Sequence, residues 1–66
     1  MKLKASTAVE ADTLGRWLTM CGLRSERKGF LFIAPTPDNA SEWVGWLVRS
    51  ASLNGDDLSG VQLVEK

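Results

Sequence analysis

Residues 30–35 constrain the fold of this chain more than any other stretch. They read Phe-Leu-Phe-Ile-Ala-Pro and form the most apolar run in the sequence. The run is too short to cross a membrane, and its aromatic and β-branched side chains favour a strand with both faces covered. We therefore predict that it forms the central strand of a sheet.

The rest of the 66-residue chain must supply the elements that cover this strand. A domain of this size buries most of its large apolar side chains, because it has little apolar surface to spare. Hydrophobic residues make up 44% and charged residues 24% of the sequence, which indicates a globular protein and not a disordered one. We expect a single α+β domain over residues 1–66.

Two helices are predicted from capping signals and apolar spacing. Thr7 and Glu10 have the spacing of a capping box at the start of the first helix, and Gly22 is a suitable stop. Thr36 followed by Pro37 predicts the start of the second helix, which should run to about residue 53. Each helix has one apolar stripe: Leu14, Trp17, Leu18 and Cys21 in the first, and Ala40, Trp43, Val44, Leu47 and Ala51 in the second.

Strands are predicted before the first helix and after the second. Alternating polar and apolar residues indicate strands at residues 2–5 and 61–65. With the central strand they give a β-α-β-α-β order, in which right-handed crossovers place both helices on one face of a small sheet. Residues 23–26 are a candidate fourth strand, joined to the central one by a hairpin at Gly29, or else a loop. An antiparallel sheet is the alternative to the parallel one.

The register of the central strand decides what the sheet exposes. A shift of 29 positions aligns Ala5 with Ala34, and the same shift aligns Leu3 with Phe32. We therefore expect Phe30 and Phe32 to face the helices. The residues expected on the outer face are Leu31, Ile33 and Val64, with Lys2 and Lys4 beside them. Small proteins seldom leave such an apolar patch bare, so a partner, a second copy or residues 23–26 should cover it.

Residues that support catalysis or bind metals are scarce. The chain has no histidine, and Cys21 lies on a predicted buried stripe without an activating partner. Asp56 and Asp57 lack the spacing of a calcium loop, and no glycine-rich phosphate-binding loop is present. We therefore expect no enzyme activity, no cofactor and no bound metal.

The same residues bear on location. A lone cysteine excludes an intramolecular disulfide, and the first residues lack the apolar core of a signal peptide. No apolar run approaches the length of a transmembrane helix. We expect a cytoplasmic protein that does not bind membranes.

Our first hypothesis is a protein–protein interaction module that acts by occupying a surface. It would inhibit or adapt a larger protein, or pair with itself, and is of the kind encoded by prokaryotes, phages or plasmids. Residues 1–28 carry six basic and three acidic side chains and residues 29–66 two basic and five acidic, an asymmetry that can steer encounters. Trp46 on the flank of the second helix is a candidate interface anchor. The predicted partner-binding residues are Leu31, Ile33, Val64, Trp46, Arg49 and Leu53.

The alternative hypothesis is a single-stranded nucleic-acid-binding protein. Such proteins combine cationic loops with aromatic side chains that stack on bases. The residues proposed for this role are Lys2, Lys4, Arg24, Arg27 and Lys28, next to Phe30 and Phe32. A net charge of zero and an isoelectric point of about 6.1 argue against it, so nucleic acid is the less favoured partner.

Overall fold

The computed structural model of the chain describes residues 1–66 and contains two helices and four strands. In chain order they are β1 (Lys2–Lys4), α1 (Ala8–Met20), β2 (Glu26–Lys28), β3 (Leu31–Ile33), α2 (Ala40–Leu53) and β4 (Gln62–Glu65). The strands form one antiparallel sheet in the order β2-β3-β1-β4. The predicted α+β class is confirmed. Neither helix has the length and apolar character that a transmembrane segment requires.

Each helix connects two strands that are not neighbours in the sheet. Helix α1 joins β1 to β2, and β3 lies between them; helix α2 joins β3 to β4, and β1 lies between them. This is the connectivity of the split β-α-β, or ferredoxin-like, arrangement. The optional fourth strand is therefore present, the sheet takes the antiparallel alternative, and the element order becomes β-α-β-β-α-β.

The fourth strand lies further along the chain than residues 23–26, because the hairpin has a two-residue turn at Gly29 and Phe30. Lys28 pairs with Leu31 across this turn. Gly29 has a φ of +62° and Phe30 does not have a positive φ, which is the type II′ pattern that suits the twist of the strands. Phe30 is a turn residue outside the strand alternation, and it is 41% exposed. The expectation that Phe30 faces the helices is therefore wrong.

Helix α1 begins and ends where the sequence predicts. The Thr7 hydroxyl oxygen accepts a hydrogen bond from the Glu10 backbone N–H at 3.1 Å. At the other end Gly22 has a φ of +77°, and the Leu23 N–H donates to the Leu18 carbonyl at 3.0 Å. This is a Schellman motif, which satisfies carbonyls that the helix end would leave unpaired.

Helix α2 starts later than predicted and ends as predicted. Its N-cap is Asn39, in the left-handed region at a φ of 52°, and not Thr36. The Thr36 hydroxyl instead accepts a hydrogen bond from the Met1 ammonium group at 2.7 Å, which holds it near the sheet. The helix closes with a second Schellman motif, in which the Asp56 N–H donates to the Ala51 carbonyl at 2.9 Å.

One apolar core lies between the sheet and the two helices. Its members include Leu3, Ala5, Phe32 and Ala34 from the sheet side, Leu14 and Leu18 from α1, and Val44, Leu47 and Ala51 from α2. Phe32 is 2% exposed, whereas Leu31 and Ile33 on the same strand are half-buried. Because neighbouring strand residues point to opposite faces, both helices cover the Phe32 face and leave the other face open. The predicted register of Phe32, Leu31 and Ile33 is confirmed.

Candidate functional site

The open face of the sheet consists of two rows of side chains that run across the four strands. One row is Glu26, Ile33, Lys2 and Glu65; the other is Lys28, Leu31, Lys4 and Gln62. Leu31 and Ile33 lie on β3, one of the two inner strands, so the apolar part of this face is surrounded by charged and polar side chains. We refer to these eight residues as the open face.

Val64 lies at the margin of this face. Leu63 pairs with Leu3 and Glu65 pairs with Lys2, so the register between β1 and β4 shifts at Val64. Such an irregularity bends an edge strand and leaves one residue without a partner. Val64 is 55% exposed as a result.

The lysines of the open face differ in their contacts. Lys2 forms an ion pair with Glu65 at 3.3 Å, and Lys28 lies 3.9 Å from Glu26. Lys4 forms no ion pair and is exposed. Exposed pairs of this kind contribute little to stability, so the fold depends little on these charges.

Arg27 does not belong to the open face, which divides the set proposed for nucleic-acid binding. It pairs with Phe32 across the hairpin, so its side chain lies on the helix side. The guanidinium carbon is 5.5 Å from the centre of the Phe32 ring, and one guanidinium nitrogen donates to the Asp12 carboxylate at 2.8 Å. Arg24 lies exposed in the loop before β2. Only the three lysines of that set share the open face.

A groove of about 510 Å³ lies on the helix side of the molecule. Its lining residues are Arg16, Trp17, Met20, Cys21, Trp46, Asn54 and Asp56. Met20 is 65% and Trp46 47% exposed. We refer to these residues as the helix-side groove; its volume lies in the range of small-ligand sites.

Asp56 organises the polar end of the helix-side groove. One carboxylate oxygen accepts a hydrogen bond from the Trp17 indole N–H at 2.8 Å, and the other lies 3.6 Å from Arg16. The Schellman motif after α2 fixes the backbone of Asp56 and so brings this carboxylate to α1. Both oxygens are therefore already engaged within the chain.

The residues predicted on the flank of α2 do not form one surface with the open face. Trp46 borders the helix-side groove, and its ring centre is 6.2 Å from that of Trp43. The Arg49 side chain runs along the helix towards Gly45. A methyl group added at Gly45 would lie 3.7 Å from an Arg49 guanidinium nitrogen. Leu53 is 89% exposed at the end of the helix. The sheet separates these three residues from Leu31 and Ile33.

Glu10 is the one buried charged residue, and its carboxylate has a structural use. It accepts hydrogen bonds from the Ser6 backbone N–H at 2.7 Å, the Ser6 hydroxyl at 2.8 Å and the Gly60 N–H at 2.8 Å. Burial raises the pKa of Glu10, but the bonds from Ser6 and Gly60 outweigh it and hold the pKa below its ordinary value. The Glu10 side chain thus reaches back to Ser6, one residue before the N-cap Thr7 that a capping box would engage, and it also fastens the turn before β4 to α1.

The remaining acidic and thiol side chains do not gather into a metal-binding cluster. No three His, Cys, Asp or Glu side chains converge. Burial raises the pKa of the Cys21 thiol, which keeps it protonated and weakly nucleophilic at neutral pH. Asp57 accepts from Ser59 at 2.7 Å and so serves its own loop. Comparison of the chain with known protein families, curated proteins and solved structures finds no match.

Sequence reasoning missed the helix-side groove. It is formed by residues far apart in the chain: Trp17 and Asp56, for example, are separated by 39 positions. Two signals were available: Trp46, singled out on the flank of α2, and Met20, a large apolar residue outside the apolar stripe of α1. A large apolar residue outside the stripe that faces the core is exposed or lines a surface depression.

Proposed function

We propose that the chain is a cytoplasmic protein–protein interaction module that binds through its open face. One observation carries this proposal: Leu31 and Ile33 lie together on an inner strand, half-exposed, with charged side chains of both signs around them. An apolar centre with a polar rim is the usual composition of a protein interface. The chain would act by covering a surface of its target, as an inhibitor or an adaptor.

The chemistry of the open face favours a protein over single-stranded nucleic acid. RNA-binding domains with a four-stranded sheet stack bases on aromatic side chains of that sheet, and this face has none. It also carries Glu26 and Glu65, which would repel phosphate groups. The acidic residues pair with lysines within the face, which lowers its net positive potential.

One observation favours nucleic acid as the alternative. Lys28 and Lys4 lie on either side of Leu31, and Phe30 is exposed at the end of the same hairpin. A base could stack on Phe30 while its phosphates contact the lysines. Binding of this kind would weaken steeply with salt, by about one counterion for each phosphate contact.

The experiment that tests the proposal is capture of binding proteins on the immobilised chain, with and without nuclease. Ile33→Glu places a charge in the apolar centre of the open face and should remove a specific protein from the captured set. Val9→Glu is the matched control, because Val9 is 77% exposed on α1, away from the open face. Leu53→Glu tests the predicted flank of α2 in the same way.

Each outcome decides between the hypotheses. A protein captured by the native chain and by Val9→Glu, but not by Ile33→Glu, supports the proposal. A protein that Ile33→Glu still captures in full contradicts it. Captured material that disappears with nuclease, and whose binding weakens steeply between low and high salt, establishes the nucleic-acid alternative.

A further inference from the structure

The open face is complementary to itself, and this property points to a particular partner. Its two rows differ in charge: one row ends in Glu26 and the other in Lys28 on the same strand, β2. The apolar residues also alternate, with Ile33 in the first row and Leu31 in the second. A rotation that exchanges the two rows therefore brings unlike charges together at β2 and apolar side chains together at β3.

A two-fold axis that runs across the strands, between the two rows, performs this exchange. It lays each strand over the same strand of a second copy, in the opposite direction. Glu26 then faces the partner's Lys28, and Ile33 faces the partner's Leu31. By symmetry each contact occurs twice, as an isologous interface requires. We propose that the open face binds a second copy of this chain in this arrangement, an inference that rests on the proposed function.

The other two-fold arrangement has the wrong chemistry. An axis along the strands keeps each row opposite itself and reverses the strand order. Glu26 would then face the partner's Glu65, and Leu31 would face the partner's Lys4. Acidic residues would oppose each other and the apolar centre would be covered by lysines, which costs free energy at an interface.

The proposed arrangement leaves one contact of like charge, which its neighbours compensate. Lys4 faces the partner's Lys2, but Lys2 is paired with Glu65 at 3.3 Å. The partner's Glu65 is therefore next to the position that Lys4 approaches. Lys4 has no ion pair of its own in the single chain, and the dimer would supply one.

The size of the open face predicts a weak dimer. A standard interface buries about 800 Å² on each partner, close to a fifth of the 4167 Å² accessible surface of this chain. Four strands spaced about 4.8 Å apart, each three or four residues long, present a smaller face than this. We therefore expect dissociation constants in the micromolar range or above, so association must be measured up to millimolar concentration.

Charge exchange on β2 tests the arrangement. Sedimentation equilibrium of the native chain from about 5 μM to 1 mM should show a monomer–dimer equilibrium. Glu26→Lys and Lys28→Glu should each raise the dissociation constant at least about tenfold, because each places like charges opposite one another twice. The double variant should dimerise within about threefold of the native chain. An equimolar mixture of the two single variants should form a heterodimer in preference to either homodimer.

A matched control makes the same glutamate-to-lysine change on the helix side. Glu42→Lys alters an exposed residue of α2 and should leave the equilibrium unchanged. Ile33→Glu should abolish dimerisation. Circular dichroism and thermal unfolding establish that every variant is folded, which is expected because Glu26 and Lys28 are exposed.

Three results would overturn the inference. The native chain could remain monomeric at 1 mM, the dimer could ignore both charge changes, or the mixture and the double variant could fail to restore association. None of these results removes the proposed function, which depends on whether Ile33→Glu abolishes capture of a different protein. Conversely, capture that survives Ile33→Glu contradicts the proposed function, while the sedimentation results still decide whether the dimer forms.

Discussion

The two sides of this molecule use their polar groups in opposite ways. On the helix side, the carboxylates of Glu10 and Asp56 are committed to donors within the chain. On the open face, the lysines and glutamates form at most exposed pairs, and Leu31 and Ile33 lie among them half-exposed. The polar groups of the helix side therefore contribute to stability, whereas those of the open face contribute little to it, as the proposed binding role requires. Surface composition alone would not separate them, because each side combines charges with large apolar residues.

The sharpest test of this difference compares two neighbours on β3. Phe32→Ala should cost about 4 kcal/mol and leave most of the chain unfolded, because Phe32 is 2% exposed in the core of a small domain. Ile33→Ala should cost only about 1 kcal/mol, because its side chain is half-buried on the other face. Urea denaturation followed by circular dichroism measures both. Equal losses would mean that the open face is part of the folding core.

A second comparison concerns carboxylates on the two sides. Glu10→Ala should lower the free energy of unfolding by about 2 kcal/mol, since it removes a charged acceptor from the part-buried backbone N–H groups of Ser6 and Gly60. Glu65→Ala removes only an exposed pair with Lys2 and should cost less than about 0.5 kcal/mol. Urea denaturation at neutral pH checks the pair. A loss for Glu65→Ala as large as that for Glu10→Ala would contradict the division between the two sides.

The Glu10 carboxylate also makes the stability of the chain depend on pH. The pKa of Glu10 is lowered in the folded chain, so its contribution is complete above the unfolded pKa of about 4.3 and is lost as pH falls through the folded pKa. Stability should therefore decrease in acid for the native chain, and the decrease should be smaller for Glu10→Ala. Denaturation at several pH values from 7 to 3 measures this, with Glu65→Ala as the control. Identical profiles for the native chain and Glu10→Ala would show that the lowered pKa is not coupled to folding.

A smaller effect is expected in the helix-side groove. Trp17→Phe keeps most of the ring but removes the donor to Asp56, so it should cost about 1 kcal/mol. Trp46→Phe is the control, since Trp46 is 47% exposed and should cost less than about 0.5 kcal/mol. Thermal unfolding of both variants measures the difference. Equal losses of stability for the two variants would mean that the hydrogen bond between Trp17 and Asp56 does not stabilise the fold.

The smallest effect is predicted for Lys4 on the open face. Lys4→Gln should change the free energy of unfolding by less than about 0.5 kcal/mol, because Lys4 forms no ion pair and is exposed. The same variant should weaken binding at the open face. Parallel denaturation and binding measurements test this separation. A large loss of stability would show that Lys4 has a use within the chain.

Local signals were sufficient to predict much of this fold. The Thr7 cap and Gly22 bound α1, and strand alternation, anchored by the 29-position match of Leu3 to Phe32, correctly placed Phe32 inward and Ile33 outward. These features depend on short-range hydrogen bonding and on the two-residue period of strands. The position of β2 could not be predicted in the same way, because its three residues are charged and exposed and have no apolar alternation.

Other features depend on contacts between distant residues. Thr36 looks like a helix cap, but the Met1 ammonium occupies its hydroxyl and the helix begins after Asn39. The bond between Gly60 and Glu10 spans 50 positions and has no local signature. For the candidate site, the outward residues of β3 were predictable from strand periodicity together with the 29-position match to β1. The β2 side chains that lie beside them, and their separation from Trp46, could be known only from the order of the strands in the sheet.

The interleaved connectivity of the strands bears on how the chain could be divided. A cut in the Gly29–Phe30 turn would give two fragments, one with an excess of three positive charges and one with an excess of three negative charges. Strands β1 and β2 of the first fragment are not neighbours, nor are β3 and β4 of the second. Neither fragment could build a sheet from its own strands, but each supplies the strand that the other lacks between its two. The pair should behave as a split protein whose halves fold only on meeting, with opposite net charges to bring them together.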